Sequence, residues 1–169
     1  MTESAEAVGL SLVGYEMPDL GSWGANVNQK PRCILQAMKA FPANDVLYVD
    51  ADAAFNRMPI IDWDDKQFAA YFDVRKDGQL APCGGTLWFR NSNMMRAAVS
   101  EWAKASEADT KSADDWVHLA SIIKQFPKSM IHRLPPAWCW HEPTMRQRFP
   151  GANPIVIHSC VGAHDYLNS

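Results

Sequence analysis

Two carboxylates one residue apart are the side chains of this sequence best suited to chemistry. Asp50 and Asp52 directly follow Val46–Val49 (VLYV), a short apolar run typical of a buried strand. At the carboxyl end of a strand in an open α/β sheet they would lie where ligands bind. Neighbouring carboxylates repel each other unless a cation neutralises them, and Mg²⁺ or Mn²⁺ binds such oxygens together with phosphates and water. The pattern therefore indicates a divalent metal site, although a solvated acidic turn would produce the same pattern.

The elements that must position these carboxylates alternate between apolar runs and helical spacings. We expect strands over Gly9–Met17, Val46–Val49, Leu80–Arg90 and Ile155–Ile157, and helices over Lys30–Phe41, after Ser92 and over Ser112–Phe126. The alternation predicts a single α/β domain over residues 1–169, with a largely parallel mixed sheet flanked by helices.

Composition excludes several classes of function. The chain has 169 residues, of which 47% are hydrophobic and 21% charged, as in ordinary globular proteins. A net charge of -3 does not favour nucleic acid as a partner. The first eight residues lack the pattern of a signal peptide, and no apolar run reaches the roughly 20 residues of a membrane span. Four scattered cysteines without a CxxC pair indicate reduced thiols, so we expect a cytoplasmic protein.

A series of short motifs follows one order along the chain. It comprises GSWGANVNQKPRCIL around Lys30, Asp50-Ala51-Asp52, GGTLWFRN from Gly84 to Asn91, Trp102, DWVHL from Asp115 to Leu119, Leu134-Pro135-Pro136 and Ile157-His158-Ser159. Over roughly Gly9 to His164 this series resembles the small GT-A glycosyltransferases of the nucleotide-diphospho-sugar transferase type. Trp116 stands where that family usually has Gln.

The resemblance implies a GT-A fold and the transfer of a sugar from a nucleotide-diphosphate sugar to an acceptor that the sequence does not identify, with Mn²⁺ or Mg²⁺. In that family the DxD motif binds the metal and the metal binds the diphosphate, so Asp50 would contact both metal and donor. The family also has a strand and helix before the strand expected here at Leu10–Tyr15, so the first strand–helix unit is expected to be missing. A second copy of the chain could cover the exposed sheet edge, which makes a homo-oligomer a candidate state.

Five further residues are candidates for the site. His158 follows an apolar strand and would be the third metal ligand by the resemblance, or else a hydrogen-bonded histidine. Lys30 could pair with diphosphate oxygens, or be a surface lysine at a helix start. The resemblance places Asp115, as the catalytic residue, near the acceptor or the reacting sugar, although Asp115 also fits a helix capping box. Gly84 and Gly85 would let the backbone approach the substrate closely.

Two other functions stay open at this point. A phosphatase of the haloacid dehalogenase type also has DxD after a strand, with the first Asp as nucleophile. That family needs Thr or Val where this chain has Ala54, and its motif usually lies near the start of the chain. The second alternative is a relative of the glycosyltransferase fold that binds nucleotide or sugar without catalysis.

Overall fold

The computed structural model describes residues 1–75, 78–109 and 115–159. Of Asp115 it describes the backbone but not the side chain. Within these ranges the helices are α1 (Thr2–Ala7), α2 (Trp23–Val27), α3 (Lys30–Ala40), α4 (Asn93–Ala108), α5 (Asp115–Ile123) and α6 (Thr144–Arg148), with 3₁₀ turns at Lys128–Met130 and Pro136–Trp138. The strands are β1 (Val46–Val49), β2 (Ala53–Phe55), β3 (Phe68–Val74), β4 (Leu80–Phe89), β5 (Ile131–Leu134), β6 (Trp140–His141) and β7 (Val156–His158). None of the described helices is long and apolar enough to cross a membrane.

The long helices begin and pack as their sequences predict. Helix α3 tolerates Pro31 in its first turn, where the missing N–H has no helical partner to lose. Helix α4 is capped by Ser92, whose Oγ accepts a hydrogen bond from the backbone N–H of Met95 at 3.2 Å. Both helices bury the apolar stripe that their spacing indicates, including Ile34 in α3 and Trp102 in α4.

The strands form two sheets. A four-stranded sheet has the order β1-β4-β3-β5, and a three-stranded sheet has the order β2-β7-β6. The predicted α/β class, with a mixed sheet flanked by helices, is confirmed, but the parallel share is smaller than expected. In the part of the chain that the structure describes, only the pairs β3–β5 and β6–β7 are parallel, whereas β1–β4, β3–β4 and β2–β7 are antiparallel. The main reason is that β3 and β4 are consecutive strands joined by residues 75–79, and so short a connection requires a hairpin.

Side chains of β4 alternate between two core clusters. Leu87 and Phe89 face the cluster built with α3, α4 and α5, whereas Trp88 faces a second cluster shared with β2, β7 and the segment around Trp138. The four-stranded sheet therefore lies between the three long helices on one side and the smaller sheet on the other. This arrangement brings the carboxyl ends of β1 and β7 against the middle of β4, at Gly85 and Thr86.

The strand predicted over Gly9–Met17 is absent, and this prediction was wrong. Residues 10–20 form neither helix nor strand, and Gly9 turns the chain out of α1 with a φ of 78°. Leu10 and Leu12 still pack, partly buried, against the core cluster that contains Trp88. The apolar residues of this segment therefore indicate burial and not a strand, because a strand also needs a neighbouring strand for its backbone hydrogen bonds. Among the described residues, β1 and β5 are the two edge strands of the four-stranded sheet, and a homo-oligomer that covers an exposed edge stays a prediction.

Candidate metal centre

The acidic motif forms the connection between the two sheets. The chain leaves β1 at Val49, passes through Asp50, Ala51 and Asp52, and enters β2 at Ala53. The Asp50 N–H donates to the carbonyl of Gly85 at 2.9 Å, and the Ala53 N–H donates to the carbonyl of Asp50 at 3.0 Å. These backbone hydrogen bonds fix both carboxylates at the point where the chain crosses from one sheet to the other.

Strand β7 brings a histidine to the same point. In its antiparallel pairing with β2, His158 lies opposite Ala53, and the Ser159 N–H donates to the carbonyl of Asp52 at 3.2 Å. Strand β7 lies between β2 and β6 in the smaller sheet. His158 thereby reaches the acidic motif, and its Nδ1 lies 3.4 Å from Asp52 Oδ1.

One candidate ligand atom from each of Asp50, Asp52 and His158 lies within 4.8 Å of the others. Two carboxylates and an imidazole fit a divalent cation, and three protein ligands leave coordination positions for phosphate oxygens and water. Among the described residues, the carboxylates form the exposed side of the site, since the Asp50 and Asp52 side chains are 28% and 39% exposed while that of His158 is 1% exposed. A phosphate-bearing ligand would therefore approach from the carboxylate side. Metal ligation by these three residues stays a prediction.

Asp50 is held by two further side chains. The Lys30 ammonium, from the first turn of α3, lies 3.0 Å from Asp50 Oδ1 and 3.1 Å from Oδ2. The Tyr48 hydroxyl donates to Asp50 Oδ1 at 2.8 Å. The Lys30 side chain is only 11% exposed, so it is not an ordinary surface lysine. The formal charges of Asp50, Asp52 and Lys30 sum to one net negative charge. A bound divalent cation would make this sum positive, which would favour the binding of an anionic ligand.

Behind the carboxylates, the ring of His158 is enclosed by three residues. Its Nε2 lies 3.0 Å from Thr86 Oγ1, and its face stacks on His141 with ring centroids 4.9 Å apart. On the β4 side it lies so close to Gly85 that a Cβ built there would be 2.8 Å from His158 Cε1. The absent side chain of Gly85 therefore makes room for the histidine ring. Direct contact of Gly85 with a substrate stays a prediction.

The groups behind His158 are neutral near pH 7. Burial and, to a smaller extent, the neighbouring His158 lower the pKa of His141 to about 4. A hydrogen bond with Cys83, in which the Cys139 thiol keeps its proton, and full burial raise the pKa of the Cys139 thiol well above its usual range. The Cys139 Sγ also lies 3.3 Å from His141 Nε2. Neither His141 nor Cys139 therefore adds charge beside Asp50, Asp52 and Lys30.

Three contact residues were missed by sequence reasoning. Tyr48 had a usable signal, since it lies two residues before Asp50 and side chains of a strand share a face at that spacing. Thr86 lies within the glycine-led motif, in which the two glycines alone carried the predicted contact with the substrate. His141 had no local signal, because it reaches the site only through the parallel pairing that places it beside His158.

Two predicted site residues remain without a described role. Gly84 precedes Gly85 in β4 and is partly buried, and its contact with substrate stays a prediction. Asp115 is the first residue of α5, but its side chain and the predicted cap at residues 112–114 lie outside the described residues. Its catalytic role likewise stays a prediction.

Comparison with known proteins identifies the fold. No family model and no curated protein matches the sequence. A glycosyltransferase involved in the glycosylation of the major capsid of PBCV-1 superposes with a TM-score of 0.69 at 13% identity, over 97% of this chain and 85% of that protein. The glycosyltransferase GlyE of Streptococcus pneumoniae TIGR4 superposes with a TM-score of 0.51 at 15% identity, over 88% of this chain but only 38% of GlyE. The predicted fold is thus confirmed, and the chain has the GT-A-like fold of glycosyltransferases.

Proposed function

We propose that this chain is a metal-dependent glycosyltransferase that moves a sugar from a nucleotide-diphosphate sugar to an acceptor. The observation that carries the proposal is the convergence of Asp50, Asp52 and His158 within 4.8 Å, on a fold shared with glycosyltransferases. The fold comparison also favours this function over a phosphatase, although both would have two carboxylates after a strand.

Asp50, Asp52 and His158 would hold the cation, and Mn²⁺ suits this set better than Mg²⁺. The reason is that Mg²⁺ binds oxygen almost exclusively, whereas one of the three ligands here is an imidazole nitrogen. When bound, the cation supplies positive charge where negative charge develops on the departing diphosphate.

The remaining side chains bind and orient the donor. Lys30, already beside Asp50, would place its ammonium against diphosphate oxygens and stabilise the same developing charge. Tyr48 holds the Asp50 carboxylate in one orientation through its hydroxyl. We assign Gly84 and Gly85 to close backbone approach of the donor, and Asp115 to the region of the reacting sugar and acceptor.

A thermal-shift experiment with nucleotides tests the proposal. A ligand at 100 times its Kd stabilises the folded state by about 2.7 kcal/mol. For a chain of this length each kcal/mol raises Tm by about 2–4 °C. We expect UDP or GDP to raise Tm by about 5–11 °C with Mn²⁺, and by much less with EDTA. Equal shifts in both conditions would contradict a role for the metal.

A turnover assay then separates catalysis from binding. Release of nucleoside diphosphate from a nucleotide sugar, dependent on Mn²⁺ and lost in Asp52→Asn, is the expected result. Binding without release across all donors tested would support a non-catalytic relative of the fold. Trapping of a phospho-aspartate would instead identify a phosphatase.

A further inference from the structure

The orientation of the His158 ring determines which nitrogen faces the candidate cation site. Nδ1 lies 3.4 Å from Asp52 Oδ1, while Nε2 points the opposite way and lies 3.0 Å from Thr86 Oγ1. The ring is 1% exposed, stacked on His141 and pressed against the backbone at Gly85. Because neither face is free, the ring has little room to exchange the two nitrogens.

A neutral imidazole carries a single ring proton, and this fixes what its second nitrogen must do. If Nδ1 uses its lone pair to bind a cation, the proton must reside on Nε2. That N–H is then a buried donor, and the Thr86 hydroxyl is the acceptor within reach. If Thr86 instead donated to Nε2, the proton would reside on Nδ1, where it would point at Asp52 and block the cation.

We propose that Thr86 is a positioning residue, whose hydroxyl accepts the Nε2 proton of His158 and thereby leaves Nδ1 free to bind the cation. The inference rests on the proposed metal-dependent function. Thr86 lies opposite Val49 in the pairing of β4 with β1, so it adjoins the strand that leads into the acidic motif. Thr86 itself is fully buried, and bulk water cannot replace its hydroxyl.

Three substitutions separate the hydroxyl from packing. Thr86→Val keeps the shape and removes the hydrogen bond, whereas Thr86→Ser keeps the hydroxyl. Ser106→Ala, which removes a buried hydroxyl from α4, is a matched control. We expect Thr86→Val to weaken Mn²⁺ binding by about 10–100-fold, as is typical of changes to the partner of a metal-binding histidine. Thr86→Ser and Ser106→Ala should bind as the unaltered chain does, with free Mn²⁺ measured by electron paramagnetic resonance.

A double-mutant cycle excludes a general packing effect. In a His158→Ala background, Thr86→Val should cause no further loss of Mn²⁺ affinity. A second loss of similar size would overturn the inference, and so would equal affinity of Thr86→Val and the unaltered chain. Failure of the unaltered chain to bind Mn²⁺ at all would instead overturn the proposed metal-dependent function and this inference with it.

The ring nitrogens give a readout that does not depend on the metal. In ¹⁵N spectra of the chelator-treated protein near pH 7, we expect His158, assigned by its absence in His158→Ala, to be protonated at Nε2. Thr86→Ser should preserve this tautomer, and Thr86→Val should reduce its population. If Thr86→Val does not fold, the unaltered chain and Thr86→Ser still decide, since protonation at Nδ1 in both would contradict the inference.

Discussion

Replacing Gly85 by alanine is expected to displace His158 from the candidate metal centre. A Cβ at this position would lie 2.8 Å from Cε1, 3.2 Å from Nδ1 and 3.3 Å from Nε2 of the His158 ring. Nonbonded carbon atoms prefer separations of about 3.5–4.0 Å, so the ring or the strand must move by roughly 0.7 Å or more. His141 is stacked on the ring, and the movement therefore meets resistance.

The Gly85→Ala substitution should lower both the thermal stability of the chain and its affinity for Mn²⁺. Inserting a methyl group into a well-packed site costs typically 1–3 kcal/mol, which lowers Tm by about 2–12 °C for a chain of this length. A metal–nitrogen bond of about 2.0–2.1 Å tolerates deviations of only about 0.2 Å. A shift of roughly 0.7 Å in Nδ1 exceeds that tolerance, so Mn²⁺ affinity should fall by at least about tenfold, an effect that outer-shell changes alone produce.

Thermal unfolding in EDTA and Mn²⁺ titration measure the two effects separately. Gly14→Ala is the matched control, because a Cβ there meets no atom within 4 Å and Gly14 does not have a positive φ. In a His158→Ala background the added methyl group has no ring to displace, so Gly85→Ala should then cost less stability. Unchanged Tm and unchanged Mn²⁺ affinity in Gly85→Ala would refute the packing argument, and an equal cost in both backgrounds would attribute the loss to the strand instead of the ring.

Three further predictions address charge. Asp52→Asn should weaken Mn²⁺-dependent nucleotide binding by more than about 10–100-fold, the loss typical of substitutions next to a metal ligand. The loss should also exceed that of Asp115→Asn, and the reverse order in nucleotide titrations would exchange the roles of the two residues. Lys30→Gln should weaken the binding of UDP in the presence of Mn²⁺ by about 10–100-fold, which is the contribution of one charged hydrogen bond. The affinity for Mn²⁺ without nucleotide should not fall, because the substitution removes a positive charge beside Asp50, and a loss of that affinity would contradict the prediction. His141 has a pKa of about 4 in the folded chain against an ordinary value of about 6.5. As pH falls, the unfolded chain therefore binds a proton at His141 before the folded chain does. In EDTA, up to about 3 kcal/mol of stability should be lost as pH falls from about 6.5 to 4, and His141→Asn should flatten this dependence in denaturant unfolding.

The parts of the site that the sequence predicted are those set by local chain direction. A carboxylate after Val49 and an imidazole after Ile157 each stand at the end of an apolar strand, and such a strand is recognisable without its neighbours. The helix that carries Lys30 is likewise visible from its spacing and from Pro31 in its first turn. Local patterns therefore identified Asp50 and Asp52 as candidate ligands and located His158 and Lys30 at element ends, whereas the family resemblance suggested the ligand role of His158.

The parts that were missed depend on strand pairing. Strands β2 and β6 have three and two residues, too short to show a period, and they exist because β7 pairs with both. That pairing places His141 beside His158. The contact of Thr86 with the His158 ring joins two residues that are 72 positions apart in the sequence, so no local pattern could show it. Conversely, Leu10 and Leu12 gave an apolar pattern without a strand, because burial alone can produce it.

The candidate centre is asymmetric, and this asymmetry separates the effects of substitutions on its two sides. On the buried side, His158 is fixed by Thr86, Gly85 and the stacked ring of His141, so Nδ1, the proposed ligand atom, is held in one position without a cation. On the open side, Asp52 is 39% exposed and can adjust to an arriving cation. Changes on the buried side should therefore act first on metal affinity and only through it on the nucleotide. Lys30, beside Asp50, should act on the nucleotide with the cation already bound. A substitution that lowers nucleotide affinity at saturating Mn²⁺ would thus locate its effect on the open side, where the diphosphate would lie.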